Sequence, residues 1–153
     1  MLVACGSYPS TLPPRGLPAA ASFYTVTTDT TGPVPESPLA IPFVLAGPSF
    51  GTVINPTDAA PSATEFRLAR GTYLLEYQVV TSDALTLSVT QDGVPIESSA
   101  VSSTGAGTVQ GSQLVSTGGS TVFSIKATFD GTPSYGVGIS KLNIVQLTTE
   151  VAA

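Results

Sequence analysis

The stretch from Thr64 to Gly93 constrains the fold of this chain most strongly, because it reads as three consecutive β-strands separated by turns. Its apolar residues alternate with polar ones at the period of two that places one face of a strand against a core. Arg70-Gly71 and Ser82-Asp83 separate the three runs, and Asp92-Gly93 is a strong signal for a tight hairpin. The alternation predicts these inward-facing residues: Phe66, Leu68, Tyr73, Leu75, Tyr77, Val79, Leu85, Leu87 and Val89.

Strand-like runs continue on both sides of this stretch, and no helical period of useful length interrupts them. Pro42 makes the apolar run 39–45 an edge or bulged strand, and Phe50–Ile54 follows as another short strand. The other predicted strands cover residues 21–28, 108–115, 121–129 and 135–147. About eight to ten short strands with turns between them predict an all-β protein, a sandwich or barrel of antiparallel strands.

Residues 1–20 differ in composition from the rest and form a Pro-rich N-terminal arm, whereas residues 21–150 form one β domain. Repeated Pro and Gly exclude a helix in this arm and are unsuited to a central strand. On an isolated domain such a segment is a disordered tail, and in an assembly it is a docking arm. The candidate docking residues are Leu12, Pro13, Pro14 and Leu17.

Charge is scarce in this sequence. Of the 153 residues 10% are charged, against roughly a quarter in an ordinary soluble protein, and 42% are hydrophobic. The simplest explanation of so neutral a surface is that other subunits cover part of it. The net charge of −5 and the absence of a basic cluster argue against a nucleic-acid partner. No run approaches the roughly 18 apolar residues of a membrane-spanning helix, so membrane insertion is not expected.

The residues that carry most enzyme chemistry are absent or dispersed. There is no His, which excludes a Ser-His-Asp triad, a Cys-His pair and every His-containing metal site. The ten acidic residues occur singly, and Asp92 and Asp130 each precede Gly in a turn, where they have a conformational role. We therefore predict no catalytic, metal-binding or cofactor-binding residues and no enzyme activity. A carboxylate pair assembled by the fold, as in a glycoside hydrolase, is the remaining enzymatic alternative.

The N-terminus bears on where the protein is assembled. Leu2 to Cys5 matches the short motif before a bacterial lipoprotein cysteine, but the cationic start and apolar segment of a secretion signal are missing. If the chain starts at its natural Met1, the missing signal favours assembly inside the cell that makes it. Cys5 is the single cysteine and has no intrachain partner for a disulfide.

Two sets of residues resemble known families. Phe66, followed by Gly71-Thr72-Tyr73 and alternating apolar residues, is similar to the central block of the trimeric jelly-roll family that includes tumour necrosis factor (TNF) and the complement globular head. A closer resemblance, over about residues 38–147, is to the C-terminal domain of the collagen-like glycoprotein of bacterial spore surfaces. That resemblance is carried by residues 41–43, 49–54, 65–68, 71–73 and 85–96.

The resemblance implies a TNF-like antiparallel jelly roll of two packed sheets that forms homotrimers, often at the end of a fibre or stalk, without catalytic residues. The candidates for packing in the core or in the trimer are Phe43, Phe50, Phe66, Tyr73, Tyr77, Leu85, Leu87, Phe123 and Phe129.

The chain lacks the Gly-X-Y collagen repeat of the spore proteins, and similar trimeric jelly rolls occur as knobs, spikes and decoration proteins of virus particles. The expected function is therefore that of a structural virion protein, a trimeric decoration, spike or fibre-knob protein of a bacteriophage or similar virus. It would be assembled in the host cytoplasm and attached to a capsid or fibre protein through residues 1–20. The alternatives are a fibre-tip protein of a bacterial spore or cell surface, and a receptor- or glycan-binding knob with recognition loops at 29–38 and 98–107.

Overall fold

The computed structural model of the chain describes residues 19–25, 39–43, 45–51, 54–56, 64–81, 84–119, 121–129 and 137–151. These residues form twelve β-strands and one short 3₁₀ turn, Glu97–Ser99. The strands are β1 (Ala20–Thr25), β2 (Leu39–Ala40), β3 (Leu45–Phe50), β4 (Ile54–Pro56), β5 (Phe66–Leu68), β6 (Gly71–Thr81), β7 (Leu85–Gln91), β8 (Val94–Pro95), β9 (Val101–Ser103), β10 (Gly107–Thr117), β11 (Thr121–Phe129) and β12 (Val137–Thr148). None of these segments contains a helix that is long and apolar enough to span a membrane.

The strands pair antiparallel in two sheets. The five-stranded sheet has the order β10-β6-β12-β1-β3, and the seven-stranded sheet has the order β4-β5-β11-β7-β8, with β2 paired to β11 and β9 paired to β7. The chain repeatedly crosses between the sheets, since β5, β7 and β11 lie in one sheet and β6, β10 and β12 in the other. The predicted all-β antiparallel sandwich is confirmed.

The three strands predicted between Thr64 and Gly93 are β5, β6 and β7. In β6 the inward residues from Tyr73 to Thr81 are buried, whereas the residues between them are exposed or half-buried. The Asp92-Gly93 hairpin joins β7 to β8. Its two central residues have φ values of 49° and 84°, and positive φ at both positions is what a type I′ turn requires.

Two other predicted strands are wrong, because each predicted run is shared by two strands that belong to different sheets. The run 39–45 is divided at Pro42, so that β2 joins the seven-stranded sheet and β3 joins the five-stranded sheet. Proline has no N–H to continue a ladder, and the Pro42 carbonyl instead accepts a 2.8 Å hydrogen bond from the Thr25 hydroxyl. Gly51, with φ of 84°, ends β3 after Phe50, and the chain re-enters strand structure at Ile54 in the opposite sheet.

The core lies between the two sheets, and aromatic rings join them. Phe66 of β5 is 1% exposed, and its ring centroid lies 4.6 Å from that of Phe23 in β1. The Phe43 ring lies 5.9 Å from Phe66 on another side. Because Phe23 and Phe66 belong to different sheets, this contact fixes the sheets against each other.

A buried amide ties three strand ends together. Gln146 occupies an inward position of β12 and is 4% exposed. Its Oε1 accepts a hydrogen bond from the Ala19 N–H at 3.3 Å, and its Nε2 lies 3.4 Å from both the Arg70 carbonyl oxygen and the Tyr73 hydroxyl oxygen. The Gln146 N–H donates to the Ala19 carbonyl at 2.8 Å. Ala19 and Ala20, assigned to the arm from the sequence, are therefore held within the β domain.

We expect Gln146→Leu to lower the free energy of unfolding by about 1–3 kcal/mol, because the buried Ala19 N–H loses its acceptor. Urea denaturation followed by circular dichroism measures this change. Gln113→Leu is the matched control, since the Gln113 side chain makes only exposed hydrogen bonds among those found for it, and its effect should stay within about 0.5 kcal/mol. Equal losses in the two variants would contradict the structural role of Gln146.

Candidate functional site

The outward surface of the five-stranded sheet, called the exposed face below, is the candidate site. Alternate residues of each strand point into the core, so the residues between them form this face. On β1, β6, β10 and β12, it consists of Ala20, Ser22 and Tyr24 of β1, Leu74, Glu76, Gln78 and Val80 of β6, Thr108, Gln110, Ser112 and Leu114 of β10, and Lys141, Asn143, Val145 and Leu147 of β12. The antiparallel register arranges these residues in rows across the strands.

The exposed face has an apolar end, formed by Leu74, Leu114, Val145 and Leu147. Leu74 of β6 lies opposite Leu114 of β10 on one side and opposite Val145 of β12 on the other. Leu114 and Leu147 are each 54% exposed, and Val145 is 36% exposed. Of the four exposed large hydrophobic residues in the described part of the chain, three lie here, and the fourth, Val94, lies in the β7–β8 hairpin. Exposed apolar side chains grouped on one surface mark a contact site.

The next two rows of the exposed face are polar and line an open depression of about 380 Å³. Across β10, β6 and β12 the first row is Ser112, Glu76 and Asn143, and the second is Gln110, Gln78 and Lys141. These six residues are called the central depression below. They present amides, one hydroxyl, one carboxylate and one ammonium group, a set suited to hydrogen bonding with another molecule.

The two charges in the central depression have opposite signs and lie on neighbouring strands. Glu76 of β6 is opposite Asn143, and Lys141 is opposite Gln78, so Glu76 and Lys141 are diagonal neighbours in the register. Within the described part of the chain, neither side chain forms an ion pair. Both side chains are exposed.

The floor of the central depression depends on a glycine. Gly111 of β10 lies opposite Tyr77 of β6, and a Cβ at Gly111 would stand 2.8 Å from the Cε2, Cζ and Oη atoms of Tyr77. The Tyr77 ring passes beneath Gly111, and its hydroxyl donates a hydrogen bond to the Ser99 carbonyl in the 3₁₀ turn. Burial raises the pKa of Tyr77, an effect that the contact with Ser99 partly offsets. The phenol is therefore neutral at physiological pH and acts as a packed donor.

We expect Gly111→Ala to lower the free energy of unfolding by about 1–3 kcal/mol, because the new methyl group must displace the buried Tyr77 ring. Gly105→Ala is the matched control, since a Cβ there would meet no heavy atom within 4 Å, and its effect should stay within about 0.5 kcal/mol. Thermal unfolding of both variants measures the difference. Indistinguishable stabilities would show that Tyr77 does not occupy the space under Gly111.

The packing candidates identified in the sequence lie away from the exposed face. Phe43, Phe66, Tyr73, Tyr77, Leu85, Leu87 and Phe123 are at most 2% exposed and lie in the core of the single chain. Phe50 and Phe129 belong to β3 and β11, but their side chains lie outside the described part of the structure. The arm residues Leu12, Pro13, Pro14 and Leu17 and the loop 29–38 also lie outside the described residues, whereas the loop 98–107 contains β9.

Sequence reasoning did not single out the apolar end, although a signal for it exists. Leu74 shares its strand phase with Glu76 and Gln78, which point outward in β6. Leu114 and Val145 likewise occupy the polar phase of β10 and β12. An apolar residue in the outward phase of several paired strands therefore predicts a contact surface, but only once the pairing of the strands is known.

Metal-ligating and acidic side chains are sparse among the described residues. They contain no group of three or more Cys, Asp or Glu side chains that could hold a metal ion. Among the residues that line the central depression, Glu76 is the single carboxylate, and the glycoside-hydrolase alternative needs two.

Comparison with solved structures identifies the fold. The globular domain of zebrafish complement 1qA matches with a TM-score of 0.61 and 13% identity, over 84% of this chain and 96% of that chain. Murine APRIL matches with a TM-score of 0.60 and 13% identity, over 84% and 99%, and Eiger TNF from S. frugiperda with 0.53 and 10%, over 88% and 94%. The fold is a TNF-like jelly roll. No protein-family model matches the sequence, and no curated protein matches it.

The TNF-like jelly roll confirms the fold predicted from the resemblance of the Phe66–Val79 block. The matches cover nearly the full length of the solved chains. The resemblance to the spore-surface glycoprotein stays a prediction.

Proposed function

We propose that this protein is a non-enzymatic structural module that assembles as a homotrimer through the exposed face of its five-stranded sheet. The observation that carries this proposal is the apolar end, where Leu114, Val145 and Leu147 are exposed in a chain with few charges. Neighbouring copies of the chain are a suitable cover, because each copy supplies both apolar and polar rows. The number of subunits follows from the resemblance to the trimeric jelly-roll family.

Burial of the apolar end supplies free energy for association. Each 100 Å² of apolar surface removed from water contributes about 2.5 kcal/mol. Association must also overcome the loss of translational and rotational freedom and the ordering of side chains. The sheet backbone holds Leu74, Leu114 and Val145 in one row through direct strand pairing, so little backbone entropy is lost when they are covered.

Light scattering after size exclusion tests the assembly, and we expect three times the 15.4 kDa mass of the chain. Replacing Leu114 and Leu147 together by Ser should raise the concentration of half-dissociation by at least about tenfold, since two apolar contacts are lost. Val94→Ser is the matched control, because Val94 is 67% exposed on the other sheet, and it should leave the trimer unchanged. A monomeric unmodified chain would contradict the proposal.

The proposed place of this module is the surface of a bacteriophage or similar virus particle, where it acts as a decoration, spike or fibre-knob protein docked by residues 1–20. The Pro-rich composition of the arm supports docking, because an extended, proline-limited segment loses little entropy when it binds. The strand register adds support. Ala20, where the arm joins the domain, lies opposite Val145, so the arm begins beside the apolar end.

Deletion of residues 1–18 tests the docking role. The shortened chain should remain trimeric, because Ala19 and its hydrogen bonds to Gln146 are retained, but it should no longer co-sediment with particles of the virus that encodes it. The double variant Leu12→Ser, Leu17→Ser, which keeps the full length, should weaken co-sedimentation in the same direction.

The outcomes of this experiment separate the candidate settings. Co-sedimentation that is unaffected by the deletion would refute the docking role of the arm. A protein found on a bacterial spore or cell surface and absent from virus particles would replace the virion setting with that of a surface fibre tip. Binding of the isolated domain to host cells or to glycans would identify a receptor-binding knob.

A further inference from the structure

Charge is distributed unevenly between the two sheets. The five strands of the five-stranded sheet contain two residues that are charged at neutral pH, Glu76 and Lys141. Both point outward into the central depression, and both are exposed. The rest of the exposed face is neutral, so a partner that covers it meets one negative and one positive charge.

A second copy that covers the exposed face must satisfy both charges. Removal of a charge from water without a counter-charge is strongly unfavourable. An ion pair that loses one member leaves the other charge buried and unpaired, and this destabilises the contact more than the loss of both charges. The amides of Gln78, Gln110 and Asn143 can hydrogen-bond to these groups, but an amide does not neutralise a charge. An identical copy brings the same Glu76 and Lys141, so the required counter-charges are present in every self-association contact.

The positions of the two residues in the sheet order determine which copy supplies each charge. Glu76 lies on β6, next to the edge strand β10, whereas Lys141 lies on β12, next to β1. Neighbours in a closed threefold ring meet through two different patches of the subunit. With the β10-β6 side of the exposed face as one patch and the β12-β1 side as the other, each contact contains Glu76 of one copy and Lys141 of the next.

We propose that Glu76 of one copy pairs with Lys141 of the next copy, so that three equivalent ion pairs set the register of the trimer and select identical chains as partners. This inference rests on the homotrimer proposed above and deepens it. The apolar end supplies most of the affinity, and the pair supplies specificity, because any rotation that brings like charges together is disfavoured.

Charge reversal tests this pairing. Glu76→Lys and Lys141→Glu should each raise the concentration of half-dissociation by at least about tenfold, and the double reversal should return it to within about threefold of the unmodified chain. The double variant keeps the net charge of −5. Glu97→Lys and Lys126→Glu are the matched controls, since they make the same changes on the 3₁₀ turn and on β11 of the other sheet. Each should change the concentration of half-dissociation by less than about twofold.

Mixing the two single variants distinguishes a pair between copies from a pair within one copy. In a mixed trimer, two of the three contacts place opposite charges together, whereas a trimer of either variant alone has none. An affinity-tagged Glu76→Lys chain should therefore retain untagged Lys141→Glu chain at concentrations where each alone is monomeric. Rescue by the double reversal without mixed assembly would show that the pair forms within one chain and would overturn the proposal.

The remaining outcomes separate this inference from the proposed function. An unmodified chain that is monomeric overturns the trimer and the pairing together. If the unmodified chain is trimeric and its reversal variants have the same concentration of half-dissociation, the pairing alone is overturned. If a reversal variant lacks the β-sheet circular dichroism of the unmodified chain, Glu76→Gln and Lys141→Gln replace it, and an unchanged concentration of half-dissociation in both neutral variants would overturn the pairing.

Discussion

The register of β6 is the constraint on which the rest of the structure depends. This strand pairs along its whole length with β10 on one side, and between Thr72 and Thr81, with two register shifts, with β12 on the other. Its inward residues Tyr73, Leu75, Tyr77 and Val79 are at most 2% exposed, and a slip of one residue would turn all of them to the outside. The same register aligns the outward residues of three strands, so the core and the exposed face are fixed by one set of backbone hydrogen bonds.

The sequence was sufficient for the parts of the fold that depend on local pattern. The alternation between Thr64 and Gly93 and the Asp92-Gly93 turn are local, and both were predicted. The divided run at Pro42 and the turn at Gly51 were missed, because the sheet that each short segment joins depends on partners distant in sequence. Gln146 is a polar residue in an apolar phase, and its partners Ala19 and Arg70 are far from it along the chain.

The candidate site was less accessible to sequence reasoning than the fold. Large apolar residues were expected to pack in the core or in the trimer, and those whose side chains are described lie in the core. The exposed face is recognised instead by smaller departures from the strand pattern, a leucine or valine in the outward phase and two charges on an otherwise neutral sheet. Each departure is unremarkable in its own strand, and only the pairing of β10, β6 and β12 places them together.

The attachment of Ala19 has a geometric consequence for any ring of these domains. The reciprocal hydrogen bonds with Gln146 hold the root of the N-terminal segment at one fixed position on the domain. A threefold axis places all such roots at the same height on the ring, so the three segments of the proposed trimer would start from equivalent positions. A target with repeated binding grooves could then engage them simultaneously, and the second and third engagements would proceed at the high effective concentration set by the first. Weak individual segments would in this way hold a particle for long times, with avidity set by symmetry more than by the affinity of any one segment.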